Sequence, residues 1–147
     1  MLLQISIGTM VILTTIVVTA LVFWFIEGTV TRASPWLIRR PYSPKMAVVL
    51  LVTVVTVLIM MTLAVWTWAL TFLVIGVFGD LEASVYFSIV AFTTLGFGDV
   101  LLPHEWRILG GLTAANGLLN MGLYTALLVE VLRRVRSEQV KGTTDDP

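Results

Sequence analysis

Six consecutive residues, Thr94-Leu95-Gly96-Phe97-Gly98-Asp99, combine types that can handle a cation. Selecting a cation requires oxygens that replace its hydration shell, and rings of backbone carbonyls supply them. Aiming successive carbonyls the same way forces alternate residues into left-handed backbone conformations, which glycine reaches without a Cβ penalty. Gly96 and Gly98 alternate with Leu95 and Phe97 and provide that freedom, Thr94 adds a hydroxyl at one end, and the acid Asp99 follows directly. Gly-x-Gly also arises in ordinary packing of membrane helices, so the hexapeptide takes its meaning from the segments that position it.

Those segments are apolar. Of the 147 residues, 58% are hydrophobic and only 12% charged, against about 25% charged in an average soluble domain. The charges are segregated, leaving long uncharged blocks, which implies an integral membrane protein. Leu2 to Ile26 is long enough for a spanning helix, which needs roughly 20 apolar residues. No Lys or Arg precedes it and it exceeds a usual signal-peptide core, so a span is expected rather than a cleaved leader. A polar connection from Glu27 to Lys45 carries Arg32, Arg39, Arg40 and three prolines, Pro35, Pro41 and Pro44, which should break any long helix. Trp36, Leu37 and Ile38 within it suggest a stretch lying at the membrane interface.

The second block, Met46 to Gly79, would be about 50 Å long if wholly helical, so it must tilt, protrude or break. Its Trp66 and Trp68 fit either an interfacial belt or core packing. Ala83 to Thr93 reads as a helix too short to cross, a candidate re-entrant segment, and it leads straight into the hexapeptide. Such a helix would aim the negative end of its dipole toward a cation. Ile108 to Val129 can span and ends on Glu130, Arg133, Arg134 and Arg136, and the polar stretch Ser137 to Pro147 reads as disordered. The expected fold is an all-α membrane protein: three transmembrane helices, with a short re-entrant helix and loop between the second and third. It divides into residues 1–45, 46–136 and a tail, 137–147.

Both clusters of basic residues, in the first connection and after the last span, fall on one side under this layout. The positive-inside tendency puts them in the cytoplasm, with the N-terminus outside and the C-terminus inside, the plasma membrane being the natural location. Asp80, Glu82, Asp99 and Glu105 then lie outside. The formal net charge is zero and offers nothing to a nucleic acid. No cysteine is present, which excludes disulfides, thiolate metal sites and thiol catalysis. No nucleophile–base set or metal cluster lies in the spans, so neither an enzyme nor a small-molecule substrate or cofactor is indicated.

In this context the hexapeptide resembles the selectivity filter of potassium-channel pore domains, whose pattern is Thr-Val-Gly-Tyr-Gly-Asp. Its Gly-Phe-Gly is similar to filters of two-pore-domain channels. The resemblance covers about Val48 to Val135 and includes Thr93 and the pore-helix residues Tyr86, Phe87 and Ser88. It implies a homotetramer in the lipid bilayer that passes permeant K⁺, held by the carbonyls of Thr94, Leu95, Gly96 and Phe97 and by the Thr94 hydroxyl. It also implies filter support from Thr93, Asp99, Tyr86, Phe87, Ser88 and Val90, an inner-helix hinge at Gly117, and a pore-facing stripe of Leu118, Met121, Thr125 and Val129. Three departures stand out. Leu95 replaces Val; Phe97 lacks the hydroxyl that braces many such filters; and Val90 stands where some members carry a Glu, which leaves Asp99 without that partner.

Other residues admit two readings each. Gly117 could be a hinge or a close-packing site. Asn120, one helical turn from Asn116, could line the cavity or bond to another helix. His104 is either an external pH sensor or a bystander, and Glu130 with Arg134 is an i, i+4 pair. The first span would be peripheral to the pore. Neither outer span has Arg at every third position, so no voltage sensor is indicated, and the tail is too short for a ligand-binding domain. The alternatives to a potassium channel are a nonselective cation channel on the same scaffold and a non-conducting membrane interaction protein.

Overall fold

A computed structural model describes residues 1–37 and 42–144. Among them the chain is helical and contains no strand: α1 (Leu2–Leu37), α2 (Tyr42–Val74), α3 (Leu81–Phe92) and α4 (Arg107–Thr144), with a single 3-10 turn, His104–Trp106, leading into α4. Three of these helices are long and apolar enough to cross a membrane, and α3 is not. The expectation of an all-α protein with three spans holds.

Three helix boundaries differ most from expectation. α1 continues through Glu27 and past Pro35 to Leu37, although Pro35 can donate no hydrogen bond to the preceding turn. Pro44 sits in the first turn of α2, where backbone N–H groups have no intrahelical acceptor to lose. The remainder of the expected interfacial stretch, from Ile38, lies outside the described residues. At the other end α4 runs on to Thr144, through most of the segment expected to be disordered. A polar composition does not stop a helix already nucleated over the preceding turns.

Between α2 and α3 the chain reverses in a few residues, and local chemistry explains how. Gly76 adopts φ 73°. Its N–H donates to the Leu73 carbonyl at 3.1 Å, and that of Val77 to the Phe72 carbonyl at 3.0 Å. This is a Schellman termination, with glycine at the left-handed position. Asp80 then caps α3, its Oδ1 accepting from the Ala83 N–H at 2.7 Å. Such a cap satisfies one of the orphan donors of the first turn and is worth about 1 kcal/mol.

The main core gathers around α3. Trp68, Phe72, Phe92 and Leu109 are fully buried. Phe72 sits 5.9 Å from Trp68 and 5.2 Å from Phe87, ring centre to ring centre, and meets Phe87 edge-on. The two tryptophans of α2 therefore take different roles: Trp68 packs in the core, whereas Trp66 is exposed. A second cluster lies further along α4, where Leu127, Val131 and Val135 meet Phe23 and Ile26 of α1 and Val49 and Val57 of α2.

The first span is not a detached addition. α1 packs more extensively against α4 than against α2, and a cavity of about 210 Å³, lined in part by Val18 of α1, Met60 and Leu63 of α2 and Tyr124 of α4, lies among the three spans. α1 and α4 run parallel in constant register. Gln4 meets Glu105, Thr15 meets Asn116 and Thr19 meets Asn120, each pair 101 residues apart.

Candidate functional site

α3 ends as α2 does, but on a different residue. The Thr94 N–H donates to the Ala91 carbonyl at 3.0 Å and the Leu95 N–H to the Val90 carbonyl at 3.0 Å. This is again the Schellman pattern, and it places Thr94 at the left-handed position with φ 60°. A β-branched residue there costs roughly 1–2 kcal/mol against a right-handed conformation. The Gly96 N–H also reaches the Val90 carbonyl, at 3.4 Å. The loop thus hangs from the C-terminus of α3 by three successive N–H groups.

Beyond Thr94 the alternation continues. Gly96 has φ 60° and Gly98 φ 78°, and the intervening Leu95, after Thr94, and Phe97, between the glycines, do not have positive φ. A Cβ on either glycine would meet nothing nearby, so conformation and not crowding demands glycine at both. Among the described residues, none of the carbonyls from Thr94 to Gly98 accepts a hydrogen bond. The whole segment from Thr94 to Asp99 is exposed on the single chain. A strip of unpaired carbonyl oxygens at the negative end of a helix suits a partly dehydrated cation.

The far end of the loop is held by a side chain. Tyr86 Oη donates to Asp99 Oδ2 at 2.5 Å, and the Val100 N–H donates to Asp99 Oδ1 at 3.1 Å. Asp99 therefore has a partner despite the apolar Val90. The Tyr86 hydrogen bond, aided by backbone N–H groups, holds its carboxyl below the ordinary carboxylate range against a smaller opposing effect of desolvation. Val90 is buried and contributes its carbonyl instead. The other residues expected to support the loop make local contacts on α3. Thr93 Oγ1 bonds the Ile89 carbonyl at 2.7 Å, buried Ser88 bonds the Ser84 carbonyl at 2.7 Å, and Phe87 joins the aromatic cluster.

Along α4 the predicted residues separate. Leu118, Thr125 and Val129 are exposed and Met121 is half-buried, all toward one side. Asn120 is not among them. It is fully buried, accepts from the Thr19 hydroxyl at 3.1 Å and donates to Asn116 Oδ1 at 2.7 Å. Asn116 in turn accepts from the Thr15 hydroxyl at 3.0 Å. The interhelical reading of these asparagines is the one observed, since α1 offers hydroxyls in matching register. At Gly117 a Cβ would overlap the backbone carbonyl of Phe92. Close approach of α3 accounts for this glycine, and α4 continues through it unbroken. His104 lies exposed in the 3-10 turn.

Sequence reasoning missed the α1 side of the seam: Gln4, Thr15, Thr19 and Glu27. Thr15 and Thr19 repeat the i, i+4 spacing of Asn116 and Asn120, a pairing visible in the sequence once both helices are known to be parallel. Arg134 joins Glu27 of α1 in an ion pair and also bonds Glu130 Oε1 at 3.3 Å.

The fold and the loop together define a helical membrane protein in which a short helix presents a carbonyl-rich strip between two spans. A family model described as ion channel matches residues 48–134. That is more than half of the chain, and the chain belongs to this family of two-transmembrane pore-loop ion channels. No curated protein and no solved structure matches it.

Proposed function

We propose that the chain is a subunit of a potassium-selective channel, in which four copies place their Thr94-to-Gly98 segments around one axis. The observation that carries this reading is the alternation of left-handed residues at Thr94, Gly96 and Gly98, combined with N–H groups tied back to α3 and carbonyls left free. One such strip cannot surround an ion, and closed cyclic assembly is the simple remedy. K⁺ would sit between carbonyls of Thr94, Leu95, Gly96 and Phe97 and the Thr94 hydroxyl, with α3 re-entering the bilayer to present them. Leu118, Met121, Thr125 and Val129 would face the pore. The N-terminus would lie outside the plasma membrane and the end of α4 in the cytoplasm, as the basic residues favour. No cofactor and no enzymatic step is part of this proposal.

The test is ion flux through the purified protein in liposomes, with potassium and sodium gradients in opposition. A reversal potential set by potassium is expected. Equal permeability of the two ions would make it a nonselective cation channel, and no flux at all would leave a membrane interaction protein. Native mass measurement in nanodiscs should give a tetramer.

A further inference from the structure

α4 is held from behind by α1, and the geometry of that hold has a consequence for opening. Buried Asn120, Leu127 and Val131 face α1. At 3.6 residues per turn, exposed Leu118, Thr125 and Val129 point about 160° away from them. α1 therefore lies on the back of α4, opposite the stripe that would face the pore. The two halves of α4 are also held differently. Up to Gly117 it is wedged against α3, with Phe92 backbone against Gly117 and with Leu102 and Phe87 against Gly110. Further along, buried Leu127, Val131 and Val135 pack against Phe23 and Ile26 of α1 and against Val49 and Val57 of α2. Among these last turns, Arg134 joins Glu27 of α1 and Glu130 of its own helix.

We propose that the Glu27–Arg134 pair is an outward latch on the inner end of the pore. It holds the last turns of α4 back against α1, away from the axis, and so favours the open channel. This rests on the channel reading above. α1 would then be a built-in regulator of opening, with Glu27 a positioning residue that acts through Arg134. Without the latch, the lower half of each α4 is freed to converge on its three counterparts while the upper half stays fixed by Gly117 and Phe92. Each pair is only about half-buried, so its individual effect is modest. Four copies act on one gate, which gives about a tenfold fall in open probability when all are removed.

The experiment is single-channel recording of the full chain in planar bilayers. Glu27→Gln should lower open probability about tenfold with unit conductance and potassium preference unchanged. The charge exchange Glu27→Arg with Arg134→Glu should recover most of it, since the guanidinium placed on α1 would face two carboxylates on α4, the native one of Glu130 and the introduced one a turn further on. Because the native chain has no cysteine, Glu27→Cys with Arg134→Cys can be bridged by a short bifunctional thiol reagent, which should raise open probability again. Unchanged opening in Glu27→Gln, or bridging that silences the channel, would overturn the latch while leaving the channel intact. A wild-type protein that passes no ions would instead remove the channel reading, and the latch with it.

Discussion

Two of the helices packed against α4, α3 and α1, grip it by different physics. α3 meets it backbone against backbone, at the contact of Phe92 with Gly117. α1 meets it through side chains: Thr15 and Thr19 on the asparagines, and Glu27 on Arg134. A backbone contact leaves no side-chain torsion to adjust, so the C-terminus of α3 cannot move closer to α4 at this point. The loop hangs from that terminus by three N–H groups, and its carbonyls follow the position of that terminus. Side-chain bonds can lengthen or exchange partners. The α3 junction is therefore the stiffer of the two, and the α1 junction the more adjustable.

The sharpest way to break this contrast is Gly117→Ala. The new methyl would overlap the Phe92 carbonyl, which cannot rotate away without moving the end of α3. Overpacking of this kind costs about 3 kcal/mol. Thermal unfolding in detergent should show it, together with loss of ion flux. Gly122→Ala is the paired control, because a Cβ there meets nothing. Removing an interior helical glycine should leave stability equal or about 1 kcal/mol higher. A tolerated Gly117→Ala with normal flux would mean that α3 is not fixed at this point.

A smaller effect is expected at the α1 junction. Asn120→Leu removes the bonds from Asn120 to Thr19 and Asn116. Thr19 keeps an acceptor in the Thr15 carbonyl at 2.9 Å, so no hydroxyl is orphaned. Interhelical hydrogen bonds in membranes average about 0.6 kcal/mol and reach roughly 2, and a loss in that range is expected by unfolding. Flux should persist, since the loop does not depend on this seam. If Asn120→Leu abolished flux as fully as Gly117→Ala, the distinction between the two junctions would fail.

The same contrast explains what could be read from the sequence. Conformation demanded by backbone chemistry was legible: Gly96 and Gly98 announce left-handed positions, and uncharged blocks of sufficient length become spans. Thr94 was not legible as a third left-handed residue, because threonine is a poor occupant of that region and the helix ending that imposes it is seen only in three dimensions. Partner choice was equally hidden. In an apolar span every face is hydrophobic, so periodicity cannot say that α1 seats on α4 rather than on α2. Polar residues carried the only signal, and Asn116 and Asn120 left the partner unnamed. Val90 in place of a glutamate leaves Asp99 without that partner, and the sequence did not name the one it has instead, a tyrosine one turn earlier on α3.

That last contact gives the mildest test and extends the comparison to the loop, whose Thr94 end is held by backbone and whose Asp99 end is held by a side chain. Tyr86→Phe removes the donor to Asp99 while keeping the ring. The hydrogen bond favours the ionised carboxylate, so without it the Asp99 pKa should rise back toward its ordinary value. A carboxyl with a depressed folded pKa contributes stability above the ordinary range and loses it as pH falls through the depressed value. The difference between wild type and Tyr86→Phe should therefore be present near neutral pH and vanish in acid, once Asp99 is protonated in both. In recordings with acidified external solution, current through Tyr86→Phe should decline at a higher pH than wild type, because the negative charge beside Gly98 is neutralised sooner. Potassium preference at neutral pH should be unchanged, since the N–H groups of Thr94, Leu95 and Gly96 still tie the other end of the loop to α3. Coincident pH profiles would show that Tyr86 does not govern Asp99, and loss of selectivity at neutral pH would show that the side-chain end holds the carbonyls as firmly as the backbone end does.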